Sequence, residues 1–184
     1  MEESLSLLGA IRKKFVCDRV DIRTYSPLTL AFVGDCIYDL VIRTIVVERG
    51  NTAPGVLHTK KSSIVKAQAQ AAQADALMEK LTAEEQAVYR RGRNAHSHSA
   101  AKNASIGDYR KATGLEALYG FLYLTDQTDR LLWLIAKGLE LTGQWPESDV
   151  EMMEQSVPMY VGEPSFHVYY MTVSGHLGYT FDGN

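Results

Sequence analysis

No apolar run in this chain approaches the roughly 18 residues that a membrane-spanning helix needs, so a spanning protein is not expected. Cysteine is scarce. Cys17 and Cys36 are the only two in 184 residues, and neither has metal-ligand spacing. That count excludes a disulfide scaffold, and both residues read as reduced thiols of a cytoplasmic protein. The N-terminus, MEESLSLLGAIRKKF, is acidic first and basic later, the reverse of a secretory signal. A Gly-rich phosphate loop, a nucleophile elbow and a Ser/His/Asp constellation are all missing. Basic residues are absent from one whole region. From Glu147 onward the chain carries Glu147, Asp149, Glu151, Glu154, Glu163 and Asp182, and not one Lys or Arg. The full chain has 19 basic and 22 acidic residues, a net charge of −3; without the six acids of that tail, residues 1–146 carry 19 against 16, or +3. A mildly basic body with an acidic tail is compatible with an anionic partner but does not require one.

What is present reads as one all-α domain over residues 1–146, followed by an extension over 147–184. Hydrophobic content of 46% and charged content of 22% are ordinary for a soluble domain. Residues 1–24 give a weak helical pattern. Ser26-Pro27 is a strong helix start, with Ser as N-cap and Pro at the first helical position, and that helix is expected to stop at Gly50. Residues 55–81 contain no breaker, which allows one long helix or two end to end. Thr82-Ala83-Glu84-Glu85 is a capping box for a helix to about Arg91. Residues 92–107, GRNAHSHSAAKNASIG, read as a loop. Helix resumes near Asp108 and runs to about Leu124. Thr125 and Asp126 are expected to cap a last amphipathic helix that ends at Gly143. In the extension, FHVYYMTVSGHLGYTF around Ser174-Gly175 is a hairpin-like signal. A short β-hairpin, packing on the body and mobility all remain open there.

Two acids stand out because their surroundings are apolar. Asp35 lies in LTLAFVGDCIYDLVI and Glu116 in TGLEALYGFLYL. An unpaired ionised group among core residues is costly and is usually neutralised, paired or metal-bound. Each also has glycine nearby: Gly34 beside Asp35, Gly114 and Gly120 around Glu116. Glycine inside a helix costs roughly 1 kcal/mol relative to Ala, so close helix approach is the expected reason, and it would bring the two acids together. Two converging carboxylates suit a hard divalent cation, above all Mg²⁺. The competing reading of each acid alone is a buried carboxylate satisfied by a neighbour. Asp39, four residues before Arg43, reads as an i,i+4 ion pair, with a metal-facing role as the alternative.

A second feature is a basic run. Arg90, Arg91, Arg93, Asn94, His96, His98, Lys102 and Asn103 precede Arg110 and Lys111, with Asp108 the only acid in that span. It is either a solvated loop or a phosphate-recognition surface, where Arg and Lys supply charge and Asn, Ser and backbone N–H groups donate to phosphate and 2′-OH. His58, Lys60 and Lys61, followed by Ser62 and Ser63, form a smaller patch of the same chemistry. His96-Ser97-His98 lacks the further ligands a zinc site needs. Tyr119, Phe121 and Tyr123 read as core or interface.

These residues resemble a known family. LTLAFVGDCIYDL is similar to the signature helix of ribonuclease III catalytic domains, and TGLEALYGFLYL to their second acidic helix. LHTKKSSIVKAQAQA and RRGRNAHSHSAAKNASIGDYRKATG, in this order and spacing, resemble the Mini-ribonuclease III class, which has the catalytic domain without a double-stranded-RNA-binding domain. The resemblance covers about residues 26–142. RGRNA, then KN, then TGLEAL is its specific part; GD or EAL alone would be weak. It implies an all-α, homodimeric, Mg²⁺-dependent endoribonuclease that cleaves double-stranded RNA and matures precursor large-subunit (23S) ribosomal RNA. Asp35 and Glu116 match the family's catalytic metal-binding carboxylates. The loop from Ala95 to Asp108 and the patch from His58 to Ile64 match segments that hold RNA. Full-length ribonuclease III enzymes carry further acids where this chain has Leu28, Ala31 and Thr113, and the Mini class shares those losses. The alternatives are a non-catalytic, dimeric RNA-binding or ribosome-associated module and, more distantly, a metal hydrolase of small phosphate esters.

Overall fold

The structure is a computed structural model describing residues 6–15, 17, 20–95 and 105–145, together with the backbone of 170–171 and 177–178. Seven α-helices run in order through the described body: α1 Leu7–Phe15, α2 Pro27–Glu48, α3 Pro54–Val65, α4 Ala67–Leu77, α5 Ala83–Arg93, α6 Ile106–Leu124 and α7 Thr128–Leu141. Short 3₁₀ turns at Ile22–Thr24 and Met78–Lys80 complete it. The only strands among the described residues are β1 Tyr170–Met171 and β2 Leu177–Gly178, paired antiparallel with Tyr170 opposite Gly178. They flank Ser174-Gly175, so the hairpin-like signal corresponds to a two-residue ladder.

Local chemistry explains most boundaries. Ser26 Oγ accepts from the Thr29 amide with Pro27 as the first helical residue, and Gly50 leaves α2 at φ 144°, a conformation that favours glycine. The capping box is formed: Glu85 N donates to Thr82 Oγ1 at 3.3 Å and Thr82 N to Glu85 Oε2 at 2.7 Å. Glu85 then takes a second partner across the fold. Arg130 grips both its oxygens, at 2.8 and 2.9 Å, and that bidentate bond is the main reason the Glu85 carboxyl titrates below its ordinary range.

Helix α6 is the axle. Every residue from Ala112 to Leu122 is buried except Glu116, which is half-buried. Helices α2, α4, α5 and α7 all pack against it. Leu115, Leu118, Tyr119 and Leu122 are 0% exposed, and each buried leucine contributes about 1.5–3 kcal/mol of transfer free energy. A helix buried on all sides has no polar face to declare its direction, so the half-buried carboxylate at its centre is the one break in an otherwise buried stretch.

Of the two readings of residues 55–81 the structure has the second, with α3 and α4 meeting at Lys66, whose backbone is extended (φ −62°, ψ 146°). Two expectations need correction. Gly92 does not begin a loop. It is buried inside α5, where an added Cβ would lie 2.6 Å from Ala117 Cβ and 3.0 Å from Gly114 Cα. A glycine that reads as a breaker is here a point of close helix contact. Thr125 and Asp126 close α6, with Asp126 at φ 60°, and Gln127 is the N-cap of α7.

Candidate active site

The crossing of α2 and α6 builds the site. A Cβ on Gly34 would sit 1.8 Å from the carbonyl oxygen of Glu116, and one on Gly120 would sit 2.0 Å from the carbonyl oxygen of Leu30. The two backbones therefore touch through glycine at both points, and Asp35 and Glu116 leave the two sides of one contact. Gly114 serves a different joint, since its Cβ would strike Tyr89 of α5 at 2.8 Å. Behind the crossing, Tyr38 and Tyr119 stack with ring centroids 5.5 Å apart. The Tyr38 hydroxyl donates to Gln73 Oε1 at 3.0 Å.

Both carboxyls are shifted upward. Burial pushes the Glu116 carboxyl up to about 7, the negative charge of Asp35 adds to the rise, and a hydrogen bond from Gln70 opposes it. Asp35 is exposed as a residue. Even so, protein packed around its carboxyl raises its pKa, the charge of Asp39 adds to that, and Lys61 works against it. Asp39 itself is ion-paired on two sides, to Arg43 as expected and also to Lys61. Burial works to raise the Asp39 carboxyl, but the bonds from Arg43 and Lys61 outweigh it and hold it below the ordinary range. The Lys61 side chain is only 16% exposed in that pair, which fixes a cation one helical turn from Asp35.

The donor set fits a hard divalent cation. It offers two carboxylates whose mutual repulsion a bound cation would relieve, with an amide beside them and no thiolate or imidazole in the pair. No cluster of three or more His, Cys, Asp or Glu that could hold a metal is found among the described residues. Ala31 and Thr113 are buried and Leu28 is exposed at the positions where fuller acid sets would stand. Water and phosphate oxygens would have to supply the remaining ligands.

The basic residues divide into described and undescribed. His58 and Lys60 are exposed on α3, and Lys60 lines a cleft of about 210 Å³ with Arg49 and Trp145. The Arg49 guanidinium lies 3.8 Å from the centre of the Trp145 ring. Arg93 and Asn94 are exposed at the end of α5. His96, His98, Lys102 and Asn103 lie outside the described residues. Two contacts were not foreseen from the sequence, the Lys61–Asp39 pair and the Gln70–Glu116 bond. The second had a faint signal, in that Gln70 and Gln73 recur at helical spacing in an Ala-rich segment that buries Ala71 and Ala74.

Comparison with known proteins gives the family and the fold. The sequence model described as Ribonuclease III domain matches residues 28–127. The chain is 46% identical over 129 residues to Mini-ribonuclease 3 of Enterococcus faecalis, covering 69% of this chain and 98% of that one. It is 41% identical over 125 residues to Mini-ribonuclease 3 of Clostridium tetani, covering 66% and 83%. Against Mini-ribonuclease 3 of Symbiobacterium thermophilum it is 47% identical over 108 residues, covering 59% and 83%. A crystal structure of a Fusobacterium nucleatum protein matches with a TM-score of 0.60 at 28% identity, over 69% of this chain and 100% of that one.

Proposed function

The chain belongs to the ribonuclease III family and is an endoribonuclease, and from that premise we propose that it cleaves double-stranded RNA with Mg²⁺ held by Asp35 and Glu116. The observation that carries this reading is the α2–α6 crossing, where the two helices touch through Gly34 and Gly120 and the Glu116 carboxyl is raised by burial and by the charge of Asp35. Mg²⁺ bound there would supply a Lewis acid for a phosphate oxygen and a low-pKa water. Asp35 and Glu116 are the residues that would hold it. Lys61, fixed by Asp39, contributes positive potential beside Asp35, where a phosphodiester brings negative charge. His58, Lys60, Arg93 and Asn94 are exposed donors for the RNA backbone, joined by His96, His98, Lys102 and Asn103 in sequence. A-form RNA is recognised largely through its backbone and shape, and such contacts need no base-reading groups.

The same reading makes the protein a homodimer. Leu28, Phe32, Leu40 and Val47 are 39%, 75%, 49% and 51% exposed along α2; exposed Cys36 completes a four-residue spacing from Leu28 to Leu40, and Val47 lies seven residues further on. Contiguous apolar surface of this kind marks an interface. Asp35 follows Phe32 by three residues and so borders the stripe. A two-fold contact there would give one site per RNA strand. The natural substrate is precursor 23S ribosomal RNA and the location is the cytoplasm. Both follow from the resemblance to the Mini class, and no helix among the described residues is long and apolar enough to cross a membrane. Residues 1–146 form the catalytic unit and 147–184 an added extension. Attack of water on the phosphorus with departure of the 3′-oxygen leaves 5′-phosphate and 3′-hydroxyl ends. End-group analysis of duplex RNA digested with Mg²⁺ checks this, and 5′-hydroxyl products would overturn the reaction class.

A further inference from the structure

Helix α4 turns two glutamines into the interior. Gln70 is 2% exposed and Gln73 is 0% exposed. Gln73 has ordinary core partners, bonding the Tyr38 hydroxyl and Gln144. Gln70 is placed differently. Its Nε2 donates to the Val65 carbonyl at 3.1 Å and to Glu116 Oε1 at 3.1 Å. Its own Oε1 is enclosed and accepts nothing from any described residue. Both neighbours of the nitrogen are acceptors, so a flipped amide would set oxygen against oxygen; the neighbours fix which way the amide faces.

The result is a strut with two joints. The Val65 carbonyl, in the last residue of α3 before the Lys66 break, anchors one amide hydrogen, and Glu116 Oε1 takes the other. Glu116 Oε2 has no hydrogen-bond partner among the described residues. Folding alone leaves the residue unexplained: its two donated bonds satisfy Val65 and Glu116, but its own amide oxygen is enclosed and unpartnered, which is destabilising. The residue therefore makes sense through what it holds. We propose that Gln70 is a positioning residue for Glu116, fixing one carboxylate oxygen so that the other is left for the divalent cation. This rests on the reading of Asp35 and Glu116 as the metal site.

Gln70→Leu removes the strut while nearly keeping the volume, and Gln73→Leu is the control from the same helix. Calorimetric titration of the RNA-free protein with Mn²⁺ reads metal affinity without activity. Gln70→Leu should weaken Mn²⁺ binding about tenfold, the low end for loss of a residue that orients a metal ligand. The Mg²⁺ concentration for half-maximal cleavage should rise in step, with KM for duplex RNA at saturating Mg²⁺ within about twofold of wild type. Gln73→Leu should leave Mn²⁺ affinity within about twofold, and metal-free Gln70→Leu should stay folded while melting below wild type, because the Val65 carbonyl and Glu116 Oε1 lose their donor. Gln70→Met serves the same comparison if the leucine variant fails to fold. Wild-type Mn²⁺ affinity in a folded Gln70 variant would overturn the positioning role. Absence of Mn²⁺ binding and of Mg²⁺-dependent cleavage in the unaltered protein would instead overturn the metal-site reading, and the proposal with it.

Discussion

At the scale of single residues the informative group is Glu116. A carboxyl raised from 4.5 to about 7 holds its proton more tightly in the folded chain than in the unfolded one. Its contribution to stability is therefore fully present below about pH 4.5 and is lost as pH rises through about 7. In metal-free protein, Glu116→Gln removes that loss. The variant should be more stable than wild type at pH 8 by about 2 kcal/mol, and nearly equal to it at pH 4.5. Denaturant unfolding in EDTA at the two pH values checks this, and equal stability at pH 8 would mean Glu116 carries no such burden. Sequence reading singled out Asp35 and Glu116 because acids in apolar helices violate the local pattern. It could not find the partners that tune them. The Lys61–Asp39 pair spans two helices, and Gln70 meets Glu116 across 46 residues of chain; no local rule encodes either contact.

At the scale of elements, glycine spacing decides how the helices meet. Gly34→Ala would drive a methyl into the Glu116 carbonyl, backbone against backbone with no flexible side chain to yield. The expected cost is about 3 kcal/mol or more, at the upper end for overpacking. Gly55, in the first turn of α3, has nothing within 4 Å of its would-be Cβ, so Gly55→Ala should stabilise by about 0.5–1 kcal/mol. Thermal melts of the two variants test the contrast; similar melting temperatures would contradict the close crossing. Most of the all-α plan was legible here. Ser26-Pro27 and the Thr82–Glu85 box name their helices outright, because caps are local chemistry. Two helices over residues 55–81 were one of the open readings, but the place of the break was not legible, since Val65-Lys66-Ala67 contains neither Gly nor Pro. Gly92 misled because glycine signals both loop and close contact, and only the position of α6 separates the two.

At the scale of the whole molecule, the α2 stripe and the charge division suggest how two copies would share one RNA. Phe32 is the most exposed large apolar residue on the chain's described surface, at 75%, so Phe32→Asp should leave the monomer folded and abolish the dimer. Sedimentation velocity reads this directly, and an unchanged dimer would place the interface elsewhere. The body carries its modest excess of positive charge while the tail carries six acids, so the catalytic unit rather than the extension is the part suited to a polyanion.

The most direct measurement is cleavage of an end-labelled duplex RNA by wild type and Asp35→Asn, each with Mg²⁺ and with EDTA, alongside binding of the same RNA. If Asp35 and Glu116 hold the metal, wild type cuts only with Mg²⁺. Asp35→Asn then binds the duplex with similar affinity but cuts it at least about a hundredfold more slowly, a barrier change of roughly 2.7 kcal/mol. Full cleavage by Asp35→Asn, or undiminished cleavage in EDTA, would contradict the two-carboxylate metal site.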